Sequence, residues 1–204
     1  RTYSALGKKE DALALLERAL DIVRERGDEA EEAEVLNNLS LVCIDLIYRG
    51  EALDYSRQAL NISQRIANHK CEGETLNTLG LIYNDLGDKG QTLEYYERAL
   101  VLRRKVYDRP GEAATLNNLG CTYDHLGKKE LACKHYEEAL KIRREVGDRW
   151  GEGKTLDNLG RAYADMGYYE EALTYCKRAL AIAQEVGDRW EENGVLNDLG
   201  HVYS

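Results

Sequence analysis

The sequence predicts an all-α solenoid of stacked helix–turn–helix units, on three observations. A leucine segment recurs without insertion or deletion: Leu36-Asn-Asn-Leu39, Leu76-Asn-Thr-Leu79, Leu116-Asn-Asn-Leu119, Leu156-Asp-Asn-Leu159 and Leu196-Asn-Asp-Leu199 start at 36, 76, 116, 156 and 196, a constant step of 40. An Ala-Leu pair keeps that step at Ala19, Ala59, Ala99, Ala139 and Ala179. The 204 residues are 43% hydrophobic and 32% charged with a single proline, a balance that suits long amphipathic helices rather than sheet or disorder. A fixed period of this length means units that bury their apolar faces against their neighbours, giving one core along residues 1–204.

The units follow from the period: a partial one at 1–29, full ones at about 30–69, 70–109, 110–149 and 150–189, and a partial one at 190–204. Tyr3–Gly7 matches the end of a segment such as Tyr83–Gly87, and Tyr203-Ser204 stops inside another copy, so the chain reads as a piece of a longer array. Each unit holds two helices. The first kind is predicted at 30–46, 70–86, 110–126, 150–166 and 190–203, the second at 9–26, 50–67, 89–106, 129–146 and 169–186. Turn residues set these limits: Gly50, Gly87-Asp88, Gly127 and Gly167 within units, and Gly27-Asp28, Gly147-Asp148 and Gly187-Asp188 between them. Asp28 and Asp188 precede Glu31 and Glu191 by three residues, as in a capping box. Pro110 falls in the first turn of its helix, where its missing N–H costs nothing.

At about 100° per residue, Leu156, Leu159, Gly160, Tyr163 and Met166 share one side of their helix, which is the expected core face. A glycine there costs about 1 kcal/mol against alanine, which close approach of a neighbouring helix at Gly80, Gly120 and Gly160 would offset. Tyr96 and Tyr136, with Cys176 in the equivalent place, are expected to fill the space between units. Ser40, Cys43 and Thr92 are the irregular positions. The five cysteines are odd in number and lack Cys-x-x-Cys spacing, so they read as reduced, mostly buried thiols.

Leu-x-x-Leu-Gly-x-x-Tyr followed by Ala132-x-x-x-Tyr136 resembles the tetratricopeptide repeat, with leucine for its tryptophan and tyrosine for its phenylalanine. The units lack its terminal proline and are six residues longer. The step of 40 and the Glu-Val-Gly-Asp-Arg junctions at 145–149 and 185–189 are similar to the long-repeat subgroup of Pins-type G-protein regulators and bacterial STAND signalling ATPases. The resemblance covers essentially the whole chain and implies a right-handed superhelix whose first helices line a concave groove.

In that groove the stripe opposite the core would place Asn37, Asn38, Leu41, Ile44 and Asp45; Asn77, Leu81, Asn84 and Asp85; Asn117, Asn118, Asp124 and His125; Asp157, Asn158, Arg161 and Asp165; and Asn197 and Asp198. Glu34, Glu74 and Lys154 belong to the same stripe. Its eight acids face two bases, Lys154 and Arg161, so a Lys- or Arg-containing partner is expected. The ladder Asn37, Asn77, Asn117 and Asn197 offers donors and acceptors to the backbone of an extended peptide; packing against neighbouring helices is the other use of those amides. Trp150 and Trp190, in equivalent places at the groove mouth, are candidate anchors or covers for the preceding helix end.

Other chemistry is disfavoured. A net charge of −9 opposes sequence-independent binding of nucleic acid, and no apolar run has membrane-span length. Without a secretory signal in the residues given, location defaults to the cytoplasm. Asp148–Thr155 approaches a phosphate-binding loop, but aspartate holds the first glycine position and no strand precedes it. Asn38-Leu-Ser40 and Asn61-Ile-Ser63 match a glycosylation sequon inside helices. Cys121 and His125 are too few ligands for zinc, and no nucleophile stands beside a base, so neither enzyme activity nor a cofactor is expected.

The function read from these features is a protein-interaction scaffold holding a partner segment in an acidic, asparagine-rich groove. One alternative is a sensor arm of a larger STAND-type ATPase. Another is a spacer that self-associates end to end through Tyr3 and Leu6 at one end and Leu196, Leu199, Val202 and Tyr203 at the other.

Overall fold

The computed structural model describes residues 2–203, with side chains from Gly7 to Tyr203. Ten helices occur among them: α1 (Thr2–Arg26), α2 (Glu29–Asp45), α3 (Arg49–Arg65), α4 (His69–Asp85), α5 (Lys89–Lys105), α6 (Arg109–His125), α7 (Lys129–Val146), α8 (Arg149–Asp165), α9 (Tyr169–Val186) and α10 (Arg189–Val202). The chain divides at Tyr107 and Asp108 into two compact units, the first holding α1–α5 and the second α6–α10.

Within each unit every helix packs on the next in sequence. The even-numbered helices also approach one another closely, α2 against α4 and α6, α8 and α10 in turn, while the odd-numbered ones stand farther apart and meet through long side chains, as where Arg24 donates to Gln58 Oε1 at 3.1 Å. Closer spacing of the even helices makes them the inner, concave layer of each unit. The cores fit the repeat pattern. In the first unit Leu36, Leu39, Leu79, Ile82, Ala52 and Ala59 are buried; in the second, Leu156, Leu159, Tyr136, Cys176 and Val195 are.

The even-numbered helices and α5 start on side-chain caps, whereas α3, α7 and α9 begin without one. Asp28 Oδ1 accepts from the Glu31 N–H at 3.0 Å and Asp188 Oδ1 from that of Glu191 at 3.1 Å. Asn68, Asp88, Asp108 and Asp148 cap α4, α5, α6 and α8 in the same way, each satisfying one of the orphan donors of a first turn. Pro110 sits at the start of α6.

Helix ends carry a left-handed residue, Gly27, Gly87, Gly127, Gly147, Gly167 or Gly187. Gly50 does not serve as a turn: it lies inside α3, and the preceding break is made by Ile47 at φ 65. Ala67 and Tyr107, at φ 54 and 58, likewise stand where other repeats use glycine.

The core glycines do accommodate close approach, but within a unit of the repeat. A Cβ on Gly120 would lie 2.5 Å from Tyr136 Cε1, and Gly80 and Gly160 face Tyr96 and Cys176 just as tightly. Each pair joins the two helices of one hairpin, and Tyr136 also shares its core with Leu156 and Leu159 of the next unit. In the first hairpin Ser40 replaces the glycine and Ser56 the tyrosine; their hydroxyls are 2.6 Å apart, and Ser40 Oγ also donates to Ala52 O at 2.8 Å. Thr92 Oγ1 donates to Asp88 O at 2.7 Å, and Cys43 is buried. The irregular positions are thus satisfied locally. All five cysteines are free, and only Cys121 is partly exposed.

Candidate functional site

On the inner face of the second unit, α6, α8 and α10 stand side by side and enclose a pocket of about 230 Å³. Asp124 and His125 come from α6, Arg161, Ala164 and Asp165 from α8, Asp198, His201 and Val202 from α10, and Cys176 of α9 also contributes. These polar residues come from the last two turns of the inner helices, His125 and Asp165 sharing one repeat position and Arg161 and His201 another. Five of them, Asp124, His125, Arg161, Asp165 and Asp198, belong to the stripe expected from sequence.

The electrostatics differ from the expected acidic groove because bases on the outer helices reach inward. Lys129, first residue of α7, places Nζ 2.6 Å from Asp124 and 2.5 Å from Asp165. In the first unit Lys9 lies 3.0 Å from Asp45, and Arg49 pairs with Asp85. Counting charges on inner helices alone omitted these cations, each 36 residues before its acid. The stripe is therefore largely charge-compensated rather than uniformly negative.

The asparagine ladder is also partly committed to the fold. Asn117 Oδ1 accepts from Thr155 Oγ1 at 3.2 Å and from Asn158 Nδ2 at 3.3 Å, tying α6 to α8. Asn158 Oδ1 in turn accepts from Arg161 at 2.6 Å, and Asn84 Oδ1 from Lys89 at 2.7 Å. Asn37 is 7% exposed, too deep to meet a peptide. Asn77 and Asn118 are half-buried, while Asn38 and Asn197 are exposed.

At the rim, Trp150 is held in place: Nε1 donates to Asp188 Oδ2 at 2.9 Å, and Lys154 Nζ sits 3.9 Å from the ring centroid. Trp190 is 78% exposed. Leu41 is exposed, Ile44 and Leu81 half-buried, so the first unit presents an aliphatic inner surface. Of the residues proposed for end-to-end contact, Leu196 and Tyr203 are exposed, Val202 is half-buried and Leu199 is already buried. The side chains of Tyr3 and Leu6 lie outside the described residues.

One pair in this face has unusual chemistry. Asp157 on α8 and Asp198 on α10 are within hydrogen-bonding reach, and burial, then the charge of Asp198, push the Asp157 carboxyl up from 3.8 to about 7. Arg161 opposes the shift, with Nε 3.9 Å from Asp198 Oδ2. The thiols are unreactive by comparison, burial raising Cys176 to about 11.

Two regularities escaped the sequence reading. Ring pairs at a step of 12 stack within hairpins: Tyr83 on Tyr95, Tyr123 on His135 and Tyr163 on Tyr175, with centroids 5.2, 5.3 and 5.2 Å apart. Ion pairs at a step of 36 also join helix starts to helix ends, as in Arg109–Glu145, Arg149–Glu185 and Glu29–Arg65. Both could be found by comparing charge and ring positions across repeats. Among the described residues, no group of three or more His, Cys, Asp or Glu side chains could hold a metal ion, and no helix is long and apolar enough to cross a membrane.

Paired helices at a fixed period, each buried against its neighbours, define a helical repeat protein. Family models described as tetratricopeptide repeat match residues 1–30, 49–100, 85–145 and 154–186. The chain belongs to the tetratricopeptide repeat family. No curated protein matches it in sequence. Among solved structures, BtubC (BKLC) from P. vanneervenii is similar at TM-score 0.84 and 22% identity, over 96% of this chain and 83% of that one. A signal transduction ATPase with numerous domains (STAND) with a tetratricopeptide repeat sensor, from Pyrococcus horikoshii, matches at TM-score 0.80 and 21% identity, over 95% and 31% of the two chains. A Rap protein complexed with competence and sporulation factor matches at TM-score 0.82 and 20% identity, over 97% and 58%. The chain thus spans less than two thirds of the latter two.

Proposed function

We propose that this chain is a protein-interaction scaffold whose second unit binds a partner segment on its inner face, with a Lys or Arg side chain entering the pocket between α6, α8 and α10. The observation that carries the reading is the pocket itself, where three successive inner helices converge on Asp124, Asp165 and Asp198. Lys129 and Arg161 offset part of that charge, so the attraction is local to the pocket and does not extend along a whole acidic groove. Exposed Asn38 and Asn197, Trp190 and the aliphatic surface of Leu41 and Leu81 are the other contact candidates, each within its own unit. The Rap neighbour was solved with competence and sporulation factor bound, which supports a partner for an array of this fold.

Peptide display on the parent and on an Asp165→Lys/Asp198→Lys variant of matched helicity tests the reading. Enrichment of Lys- and Arg-containing peptides on the parent alone is the expected result. Equal enrichment on both would place binding elsewhere.

A second reading follows from the likeness to the repeat sensor of the STAND protein: the array would act as a sensing arm of a larger regulatory ATPase. In that case display would enrich nothing, and the pocket would be filled by another segment of the full-length protein.

A further inference from the structure

The first asparagine of the inner stripe is Asn37, Asn77, Asn117 and Asn197 in four repeats, but Asp157 in the remaining one. The position after it is Asn38, Thr78, Asn118 and Asn158, but Asp198 on α10. These two positions meet across neighbouring inner helices. At the α6–α8 contact they are Asn117 and Asn158, an amide pair joined at 3.3 Å; at the α8–α10 contact they are Asp157 and Asp198. An amide both donates and accepts, whereas a carboxylate only accepts. The acid pair therefore needs a shared proton or a cation where the amide pair needs nothing.

The surroundings do not fully supply that need. Asp157 Oδ1 is buried and has no hydrogen-bond partner. The groups facing the pair are Arg161 on α8, Asp198 and Glu191 on α10 and Cys176 on α9, with Cys121 of α6 and Tyr136 of α7 beyond Arg161. Lys154, one turn earlier on α8, is engaged with Trp150 and faces Glu191. Arg161 is the one cation of this set next to the pair, and it is shared with Asn158. Asp198 also lines the pocket, so whatever the pair carries is felt there.

We infer that Asp157 and Asp198 form a proton-operated gate on the pocket of the second unit: with a proton held between them the pocket is nearly charge-balanced, and without it the pocket gains the negative charge that selects a Lys or Arg side chain. This rests on the pocket being the partner site. Burial and the neighbouring carboxylate bring the change to about pH 7, within the range a cell can traverse. A basic side chain entering the pocket and the proton on Asp157 compete for the same negative charge. Binding then releases a proton, and affinity for a cationic segment rises as pH increases through neutrality.

The test uses the full chain and acetyl-hexalysine amide as the cationic probe. Carbon-detected NMR of the aspartate carboxyls should show Asp157 titrating near neutrality, and Asp198→Asn should bring it down. Calorimetry at about pH 5.5 and about pH 8.5 should show the probe bound about three- to tenfold more tightly at the higher pH, as expected for one added charge a few ångströms away. Proton release, measured in buffers of different ionisation heat, should accompany binding near neutrality. Asp157→Asn should lose both the release and its share of the pH dependence. An Asp157 carboxyl that titrates like an exposed aspartate, or an unchanged pH dependence in Asp157→Asn, overturns the gate while leaving the pocket as a binding site. Absence of probe binding to the parent at either pH, with Asp157 still titrating near neutrality, overturns the partner-site reading and the gate with it.

Discussion

Replacing Asp157 by Asn should stabilise the protein at alkaline pH and do little in acid. The folded protein holds the Asp157 proton up to about pH 7, against 3.8 for an ordinary aspartate, so between those values it binds more protons than the unfolded chain. Stability that is full below about pH 4 is therefore lost progressively as pH rises to about 7, and stays lost above it. At about 1.4 kcal/mol per tenfold, the shift sets a ceiling of about 4 kcal/mol. Water reaching the inner face and movement of Arg161 reduce this to about 1–3 kcal/mol. Asparagine fits the site, because Asn117 occupies the equivalent place and bonds to Asn158. Urea unfolding followed by circular dichroism at about pH 5 and about pH 8.5 would show the parent losing stability relative to Asp157→Asn at the higher pH. Hydrogen exchange of α10 amides locates the effect, since an array can open one end at a time. Parallel stability curves for the two proteins over that range would refute the reasoning.

Further outcomes follow from the packing. Gly120→Ala would put a methyl 2.5 Å from the Tyr136 ring and should cost about 1–3 kcal/mol in urea unfolding, despite the better helix propensity of alanine; an unchanged midpoint would mean the hairpin yields. Ile47→Gly should add about 1 kcal/mol, because a β-branched residue is held at φ 65 and its side chain is 65% exposed; destabilisation would show that Ile47 makes contacts outweighing the strain. Lys129→Ala removes the cation between Asp124 and Asp165 and should strengthen acetyl-hexalysine amide binding about threefold at low salt, with the gain fading in about 1 M salt. Weaker binding would mean that Lys129 positions the acids rather than competing with the ligand.

The fold was legible because each repeat states it again. A leucine pair, a small residue at the hairpin notch and an Asp or Asn before the next helix recur with little variation, and the caps at Asp28 and Asp188 form as their spacing predicts. Gly50 misled because it follows the break by three residues, while Ile47 takes the left-handed conformation unaided by composition. The inner face was legible in its membership but not in its charge. Asp45 and Asp165 look unpaired along the sequence, and only the docking of α1 and α7 brings Lys9 and Lys129 against them. Likewise nothing local in Asn117 distinguishes an amide free to meet a peptide from one bonded to Thr155 and Asn158.

The chain repeats its core and varies its inner face, and the variation differs between the two units. At the position that faces the pocket as Arg161, the repeats carry Leu41, Leu81, Cys121, Arg161 and His201 in turn. The first unit therefore offers aliphatic surface, and the second offers titratable and charged groups around a pocket. Having the acid pair at α8–α10 in place of the amide pair of α6–α8 should lower stability at neutral pH. Sequences retain local violations of this sort most readily where the group is used rather than merely tolerated. That cost, at an inner-helix contact where two carboxyls stand in place of the bonded amide pair of α6–α8, is the physical reason to look for recognition at Asp157 and Asp198 before any other part of the stripe.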